Sequence, residues 1–251
     1  MSGLTVLPTK PQTRETLAIT PLQARVLLAG FPKVGKSTLL SQWAPATTLI
    51  IDTHKGSTLL PGEHYVQHVS AWQQFEETVD QIVAGRHSYK TIGVDLIDDV
   101  WKFADYAAAQ KHGGKVAAGA VEYGKGTADA EGMFRQAVGK RLASPYGIWF
   151  LSHTDIEEDQ NQKRYVSRLD KRVRTYVEGA CHYLLLAEIL GPKRELRTAP
   201  SAKFQAGGRT PLTDPMPLVD GTARQLYAEM AAGLTAPITT APARPAEEAA
   251  A

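Results

Sequence analysis

Residues 30–37 constrain the fold of this chain more than any other segment. They read Gly-Phe-Pro-Lys-Val-Gly-Lys-Ser and match the pattern G-x-x-x-x-G-K-[S/T]. The glycines permit backbone conformations that turn successive N–H groups inward onto phosphate oxygens. We call residues 30–37 the phosphate loop. Such a loop needs a buried strand before it and a helix after it, whose positive N-terminal end faces the phosphates.

The phosphate loop predicts a site for a nucleoside triphosphate, which we interpret as ATP with Mg²⁺. The side chain of Lys36 is placed to neutralise the β and γ phosphates, and the hydroxyl of Ser37 is placed to ligate Mg²⁺. The predicted nucleotide-binding residues are Gly30, Phe31, Pro32, Lys33, Val34, Gly35, Lys36, Ser37 and Thr38.

Strand and helix patterns alternate on both sides of the phosphate loop. Predicted strands cover residues 25–29, 48–51, 91–94, 148–151 and 183–189, and a sixth, over 195–198, forms a hairpin across Gly191 and Pro192. Predicted helices cover residues 36–43, 71–84, 98–110, 128–142, 165–178 and 222–232. This alternation predicts an α/β fold: a mostly parallel, twisted sheet with helices on both faces. Ligands of such sheets bind where the strands end, so Asp52, Asp95 and His153 should converge there.

Composition divides the chain into three parts and excludes some classes of protein. We predict that residues 1–23 form an extended or disordered arm and that residues 24–233 form the P-loop domain. The Ala/Pro-rich residues 234–251 are predicted to be a disordered tail. The net charge of +2 is too small to indicate nucleic-acid binding by itself, and a single cysteine excludes an internal disulfide. No membrane span and no secretion signal are recognisable, so we expect a cytoplasmic protein.

The strand over residues 91–94 is followed by an acid that supports the nucleotide interpretation. In P-loop NTPases an acid at this point helps to hold Mg²⁺ together with the Ser or Thr of the loop, which predicts Asp95 and Ser37 as metal ligands. Asp98 and Asp99 lie just beyond, and we interpret them as the N-cap and a first-turn acid of the following helix.

Four segments resemble a known family: RVLLAGFPKVGKSTLL, TTLIIDTHKGS, HSYKTIGVDLIDDV and GIWFLSHTD. They are similar to the phage-encoded AAA-type, RecA-like nucleotide-binding proteins, a group that includes the core-only RecA-like single-strand annealing proteins. The resemblance covers about residues 24–233. It implies a RecA-like ATPase core that uses ATP and Mg²⁺ and forms a homo-oligomeric ring or filament. Single-stranded DNA and a single-strand-binding protein are the implied partners, in the cytoplasm of the host cell.

The resemblance also implies roles for individual residues. His153 corresponds to the polar γ-phosphate sensor, and Lys203 and Arg209 fall in the segment that reaches the nucleotide of a neighbouring subunit. The family usually carries a Glu two residues after the acid of the second strand, and His54 stands there instead. A neutral imidazole can orient water or accept a proton, so we expect slow, DNA-stimulated hydrolysis involving His54, His153 and Lys36. Glu63 is a substitute base if its loop folds back.

Basic residues after His153 form the candidate DNA contact: Lys163, Arg164, Arg168, Lys171 and Arg172. Positions 164, 168 and 172 have the spacing of one helical face, where cations can neutralise phosphates. The alternative is a solvated amphipathic helix balanced by the acids at 155–159. A second candidate loop carries Lys111, His112, Lys115, Tyr123 and Lys125, in which Tyr123 is either a base-stacking ring or an ordinary surface residue.

Three functions compete on these grounds. The leading one is an ATP-binding, RecA-like protein that binds single-stranded DNA and promotes annealing and recombination in phage DNA metabolism. A non-hydrolysing, nucleotide-dependent replication accessory factor is the second, modestly favoured by His54. A P-loop small-molecule kinase is the third, but the Gly-rich segment 112–126 that would form its lid contains no arginine.

Overall fold

The computed structural model describes residues 19–113, 124–159 and 162–235. Most of the predicted arm and tail lies outside the described residues, as do Lys115 and Tyr123 of the second candidate DNA loop. Within the described ranges, no helix is long and apolar enough to cross a membrane.

Ten strands form one sheet in the described part of the chain. They are β1 (Arg25–Gly30), β2 (Thr48–Asp52), β3 (Tyr65–His68), β4 (Thr91–Asp95), β5 (Gly147–Asp159), β6 (Gln162–Ser167), β7 (Tyr183–Leu190), β8 (Lys193–Arg197), β9 (Gly207–Gly208) and β10 (Met216–Pro217). Their order is β10-β8-β7-β1-β5-β4-β2-β3, with β6 paired to β5 and β9 paired to β7. The strands from β7 to β3 along this path are parallel to their neighbours. The strand that leads into the phosphate loop is thus separated by β5 from the strand that ends at Asp95.

The parallel registers bring the ends of distant strands together. Gly30 of β1 pairs with His153 of β5, and Asp52 of β2 pairs with Asp95 of β4. We call this border of the sheet the carboxyl edge. The predicted convergence of Asp52, Asp95 and His153 follows directly from this register.

Helices cover both faces of the sheet. They are α1 (Lys36–Ser41), α2 (Trp72–Val83), α3 (Ile97–Lys111), α4 (Lys125–Leu142), α5 (Lys171–Ala180) and α6 (Thr222–Thr235). On one face Leu27 and Phe150 lie in a core with Phe75 of α2; on the other, Leu28 lies in a core with Leu39 of α1. Neighbouring strand residues enter opposite cores because side chains alternate along a strand. The predicted α/β class, with a mostly parallel sheet and helices on both faces, is confirmed.

The predicted helix over residues 165–178 is wrong for residues 165–170. Strand β5 continues past the carboxyl edge and turns back as β6, so that Glu157 pairs with Arg164 and Glu158 with Lys163. The helix begins only at Lys171, because the side chain of Asp170 accepts the N–H of Arg172 at 2.9 Å and caps it. Residues 164, 168 and 172 therefore do not share a helical face, and the basic stripe proposed there does not exist.

Arg141 of α4 is a buried charge without a visible partner. Its side chain is 1% exposed, and its guanidinium nitrogens make no hydrogen bond within the described residues. Burial lowers the pKa of Arg141 to about 9. Taking an ion out of water without pairing it is costly, so this residue lowers the stability of the fold.

We therefore expect Arg141→Met to raise the free energy of unfolding, by about 1–4 kcal/mol, as replacement of buried ionic groups by apolar ones often does. Urea denaturation measures the change. Lys140→Met is the matched control, because Lys140 only bridges Asp80 on the surface at 2.8 Å, and such pairs contribute about 0–1 kcal/mol. A less stable Arg141→Met protein would contradict the assignment of an unpaired charge.

Candidate nucleotide-binding site

The phosphate loop connects β1 to α1 through two glycines that no other residue can replace without strain. A Cβ on Gly30 would lie 2.7 Å from the carbonyl oxygen of Ala187 on β7, so only glycine allows the two strands to pass this closely. Gly35 immediately precedes α1 with a φ of +110°, which favours glycine. The loop is thereby fixed at the carboxyl edge, beside His153.

The side chain of Lys36 folds back over the phosphate loop. Its Nζ donates to the carbonyl oxygens of Gly30 at 2.8 Å and Phe31 at 3.0 Å, and the residue is 5% exposed. Burial lowers the pKa of Lys36 to about 8, although Asp95 and Asp98 act in the opposite direction. At neutral pH the amine is still mostly cationic, and the neutral carbonyls that hold it provide no full counter-charge. This arrangement suits an incoming phosphate, which supplies that charge.

Ser37 and Asp95 are in direct contact at the start of α1. The Ser37 hydroxyl donates to Asp95 Oδ2 at 2.5 Å. Burial raises the pKa of Asp95, while the hydrogen bond from Ser37 and the charge of Lys36 oppose the rise. A hydroxyl and a carboxylate side by side are hard oxygen ligands of the kind that Mg²⁺ prefers, with phosphates and waters completing its shell. The residues present therefore fit the magnesium site predicted from the sequence.

Asp52 anchors the loop that follows β2. Its carboxylate accepts the N–H of His54 at 2.8 Å and the N–H of Ser57 at 2.9 Å, as well as the hydroxyl of Ser57. Burial alone would raise the pKa of Asp52, but these hydrogen bonds outweigh it and hold the pKa below its usual value. Asp52 thus acts as a backbone anchor that positions His54.

His54 faces the site and is backed by an acid. Its Nε2 lies 2.5 Å from Asp99 Oδ2, and Asp99 also accepts from the hydroxyl of Thr53 at 3.0 Å and from Lys102 Nζ at 2.9 Å. A carboxylate behind an imidazole fixes its orientation and tautomer and stabilises its protonated form. Glu63, the alternative base, is exposed and does not line the cavity described below.

His153 is also positioned by an acid, but through its backbone rather than its ring. Its backbone N–H donates to Asp98 Oδ2 at 2.7 Å, and the neighbouring Ser152 hydroxyl donates to Asp98 Oδ1 at 2.6 Å. Burial, followed by the charges of Lys36 and Arg168, lowers the pKa of His153 to about 4. The imidazole is therefore neutral at physiological pH and can donate or accept one hydrogen bond.

Asp98 and Asp99 are site residues that the sequence interpretation missed. Both lie in the first turn of α3, as expected, but the N-cap is Leu96 and the two acids are only 4% and 6% exposed. Each contacts one of the two site histidines. Their position in the sequence could have identified them as site residues. Two adjacent acids follow closely after a strand that ends at the carboxyl edge, where the start of a helix faces the ligand.

These side chains surround one cavity of about 480 Å³. It is lined by Pro32, Lys33, Gly35, Lys36, Ser37, Thr38, Asp52, His54, Gly56, Asp95, Leu96, His153 and Arg194. This volume lies within the range of small-molecule sites. The structure therefore brings six of the nine predicted loop residues to this cavity, together with the predicted metal-ligating and histidine residues, whereas Gly30, Phe31 and Val34 do not line it.

The predicted DNA-binding residues separate into two groups. Lys163 and Arg164 are exposed on β6, opposite Glu158 and Glu157 of β5, and Arg168 is exposed between β6 and α5. Lys171 instead lies 3.3 Å from Glu157, and Arg172 lies 3.2 Å from Asp170. Lys163 and Arg164 therefore lie on the β5–β6 hairpin rather than on a helix, and four acids of β5 lie on the same hairpin.

Lys203 and Arg209 lie in different parts of the molecule. The carbonyl oxygen of Lys203 accepts the N–H of Tyr165 at 2.8 Å, which places Lys203 beside the β5–β6 hairpin. The N–H of Arg209 donates to His182 at 3.0 Å, next to the start of β7, on the border opposite the carboxyl edge. Neither side chain lines the cavity of its own chain.

A family model described as an AAA domain matches residues 22–210. No curated protein matches the chain. Solved structures that match include the crystal structure of the RadB recombinase, with a TM-score of 0.43 and 12% sequence identity over 69% of this chain and 79% of that chain.

Proposed function

This chain belongs to the AAA domain family, and we propose that it is a RecA-like, ATP- and Mg²⁺-dependent protein that binds single-stranded DNA and promotes annealing in phage DNA metabolism. A homo-oligomeric ring or filament is part of the proposal, with Lys203 or Arg209 reaching the nucleotide of the next subunit. The observation that carries the proposal is the aromatic contact between Phe31 of the phosphate loop and Tyr165 of the β5–β6 hairpin, whose strand β6 also carries Lys163 and Arg164.

Nucleotide binding rests on the residues of the 480 Å³ cavity. Lys36 leaves the two carbonyls that hold it and pairs with the β and γ phosphates. Ser37 and Asp95 hold Mg²⁺, which supplies neutralisation of the charge that develops on the phosphate oxygens. His153, neutral and at the end of β5, donates a hydrogen bond to a γ-phosphate oxygen and so reports whether that phosphate is present.

Aromatic contacts connect this loop to the hairpin. The ring of Phe31, the second residue of the phosphate loop, meets the edge of Tyr165 on β6 with 5.8 Å between centroids. Tyr165 in turn stacks on Phe204 at 5.6 Å. A shift of the phosphate loop on nucleotide binding therefore acts directly on the ring that packs under the hairpin, since packed side chains transmit displacement.

The hairpin carries the chemistry that single-stranded DNA needs. The exposed cations Lys163 and Arg164 directly precede the half-buried Tyr165 on β6, and the exposed Lys203 lies beside Tyr165, next to the half-buried Phe204. Cations neutralise the phosphates, and aromatic faces stack on bases regardless of sequence. Annealing requires such sequence-tolerant binding, which leaves the Watson–Crick edges of the bases free.

Hydrolysis uses the His54–Asp99 pair in place of the usual Glu. With Nε2–H donated to Asp99, Nδ1 of His54 is the nitrogen that accepts a proton. Water attacks the γ phosphorus, the bond to the β-phosphate oxygen of ADP breaks, and the water proton passes to His54, whose cation Asp99 stabilises. The His54 side chain is 57% exposed, so bulk water competes with the attacking water for its Nδ1, which gives slow turnover.

We expect His54→Gln to lower the rate of ATP hydrolysis by at least about tenfold, because general-base catalysis contributes about 10²–10⁴-fold. Asp99→Asn should lower it by a similar factor, while both variants keep ATP affinity within about threefold of wild type. ADP release in the presence of single-stranded DNA measures the rate, with equilibrium ATP binding in parallel. Lys102→Gln is the control, because it removes a partner of Asp99 without touching His54.

Unchanged turnover in His54→Gln would contradict this role. Absence of ATP turnover by the wild-type protein, even with single-stranded DNA, would instead favour a non-hydrolysing accessory factor. The specific observation behind that second candidate is the imidazole at position 54, where the resembling family carries a carboxylate.

A further inference from the structure

A second cavity, of about 400 Å³, adjoins the phosphate cavity. It is lined by Val34, Gly35, Thr38, Leu39, Gln42, Pro61, Arg194, Leu218, Val219 and Asp220. Gly35, Thr38 and Arg194 line both cavities, so the two spaces adjoin at the start of α1.

We propose that the second cavity binds the nucleoside of the triphosphate, and that Asp220 and Gln42 recognise the exocyclic amino group of a purine base. This inference rests on the proposed nucleotide function and extends it to a choice of base. Nothing in the phosphate loop can make that choice, because its groups contact phosphates that all nucleotides share.

The order of residues along the site sets the direction of the ligand. The metal-ligating pair Ser37 and Asp95, together with His153, lines only the first cavity, which places the terminal phosphate there. Thr38, the next residue along α1, is shared, so the phosphate chain runs from Asp95 towards Thr38. The nucleoside, which follows the α phosphate, then extends into the second cavity.

Arg194 provides a cation at the junction. It lies on β8, exposed, and its side chain has no partner within the described ranges. Its carbonyl oxygen accepts the N–H of Leu218 at 2.8 Å, which ties it to the wall of the second cavity. An α phosphate at the junction pairs with this guanidinium.

The walls of the second cavity are apolar. Val34, Leu39, Leu218 and Val219 supply apolar side chains to its lining. Val219 is 64% exposed, an apolar surface that a flat base would cover. The segment is held in place because the N–H of Val219 donates to the hydroxyl of Thr222 at 2.8 Å, so the wall is formed before a ligand arrives.

The polar end of the cavity is rich in acceptors. Gln42 Nε2 donates to Asp220 Oδ1 at 3.1 Å, which leaves Asp220 Oδ2 and Gln42 Oε1 without a hydrogen donor in the described part of the chain. An amino group on a purine offers two N–H donors to these oxygens. A base that has a hydrogen atom or a carbonyl oxygen in place of the amino group leaves the two oxygens of Asp220 and Gln42 without a donor. Such unpaired polar groups lower the binding affinity.

Matched ligands test this directly. The affinities are measured by calorimetric titration of the protein with each nucleotide in the presence of Mg²⁺. ATP is compared with purine riboside triphosphate, which lacks the 6-amino group, and GTP is compared with ITP, which lacks the 2-amino group. In one of these two pairs, we expect the nucleotide that has the amino group to bind wild type roughly tenfold more tightly than the nucleotide that lacks it. A factor of this size is typical for the loss of a hydrogen bond to a charged group. In Asp220→Ala the difference should shrink to less than about threefold. Asp80→Ala, an exposed acid on α2, should keep the wild-type difference.

Inorganic tripolyphosphate separates this inference from the function on which it rests. If tripolyphosphate binds wild type as tightly as ATP does, the nucleoside pocket is contradicted while the phosphate site stands. The same conclusion follows if, within each pair, the nucleotides with and without the amino group bind with equal affinity. If neither ATP nor tripolyphosphate binds, the nucleotide function fails and the pocket fails with it.

Discussion

Replacing Lys36 with alanine is expected to weaken ATP binding by about 100-fold or more. Charge-assisted hydrogen bonds to phosphate are among the strongest in proteins, and a loss of about 2.7 kcal/mol corresponds to this factor. The amine also lies at the centre of the site, where burial has already lowered its pKa to about 8. Equilibrium titration with ATP and Mg²⁺ measures the effect.

The same substitution should leave the ligand-free fold intact. Lys36 makes only two hydrogen bonds to backbone carbonyls and carries a desolvation cost, so its removal does not destabilise the protein strongly. Lys90→Ala is the matched control, because Lys90 is exposed and precedes β4 on the border opposite the carboxyl edge. Equal ATP affinity of Lys36→Ala and wild type would show that the phosphate loop does not hold the triphosphate.

Removing both Lys163 and Arg164 by alanine substitution is expected to weaken binding of single-stranded DNA by about tenfold or more at low salt. The slope of log K against log salt concentration should fall by about 1.4, since each lost phosphate contact contributes about 0.7 for a single strand. Both side chains are exposed on β6, where phosphates can reach their charges. Fluorescence anisotropy with a labelled oligonucleotide at several salt concentrations measures affinity and slope.

The matched control is the double alanine variant at Lys171 and Arg172. These cations are already paired with Glu157 and Asp170, so we expect a change in DNA affinity of less than about threefold. A larger loss in this control than in the hairpin variant would place the DNA on α5 instead of the hairpin.

Local rules predicted the centre of the site because the chemistry there is local in sequence. The glycines, Lys36 and Ser37 lie within eight consecutive positions. Asp95 was predictable because parallel strands end at one edge, so an acid after a buried strand must lie near the loop after another. The register of Gly30 with His153 and of Asp52 with Asp95 bears this out.

Asp98 and Asp99 show where this reasoning ended. An acid in the first turn of a helix has a sufficient local explanation in the helix dipole. Their contacts with His153 and His54 depend on how far the first turn of α3 is set into the carboxyl edge, which is a property of packing. No spacing in the sequence encodes the distance between Asp99 and a residue 45 positions earlier.

The hairpin was missed for a similar reason. Basic residues at 164, 168 and 172 have helical spacing by coincidence, while the pairing that makes β6 a strand depends on an extension of β5 beyond its buried part. The second cavity joins α1 to a loop about 180 residues later, so its composition could not be read from any one segment.

Annealing of complementary single strands by wild type and Lys36→Ala, each with and without ATP and Mg²⁺, tests the central claim most directly. We expect ATP to accelerate annealing by wild type several-fold and to have no effect on Lys36→Ala, because only the wild-type loop can respond to the nucleotide and move the hairpin. Annealing by the two proteins at the same rate with ATP, or no binding of single strands by wild type, would contradict a nucleotide-dependent function on single-stranded DNA.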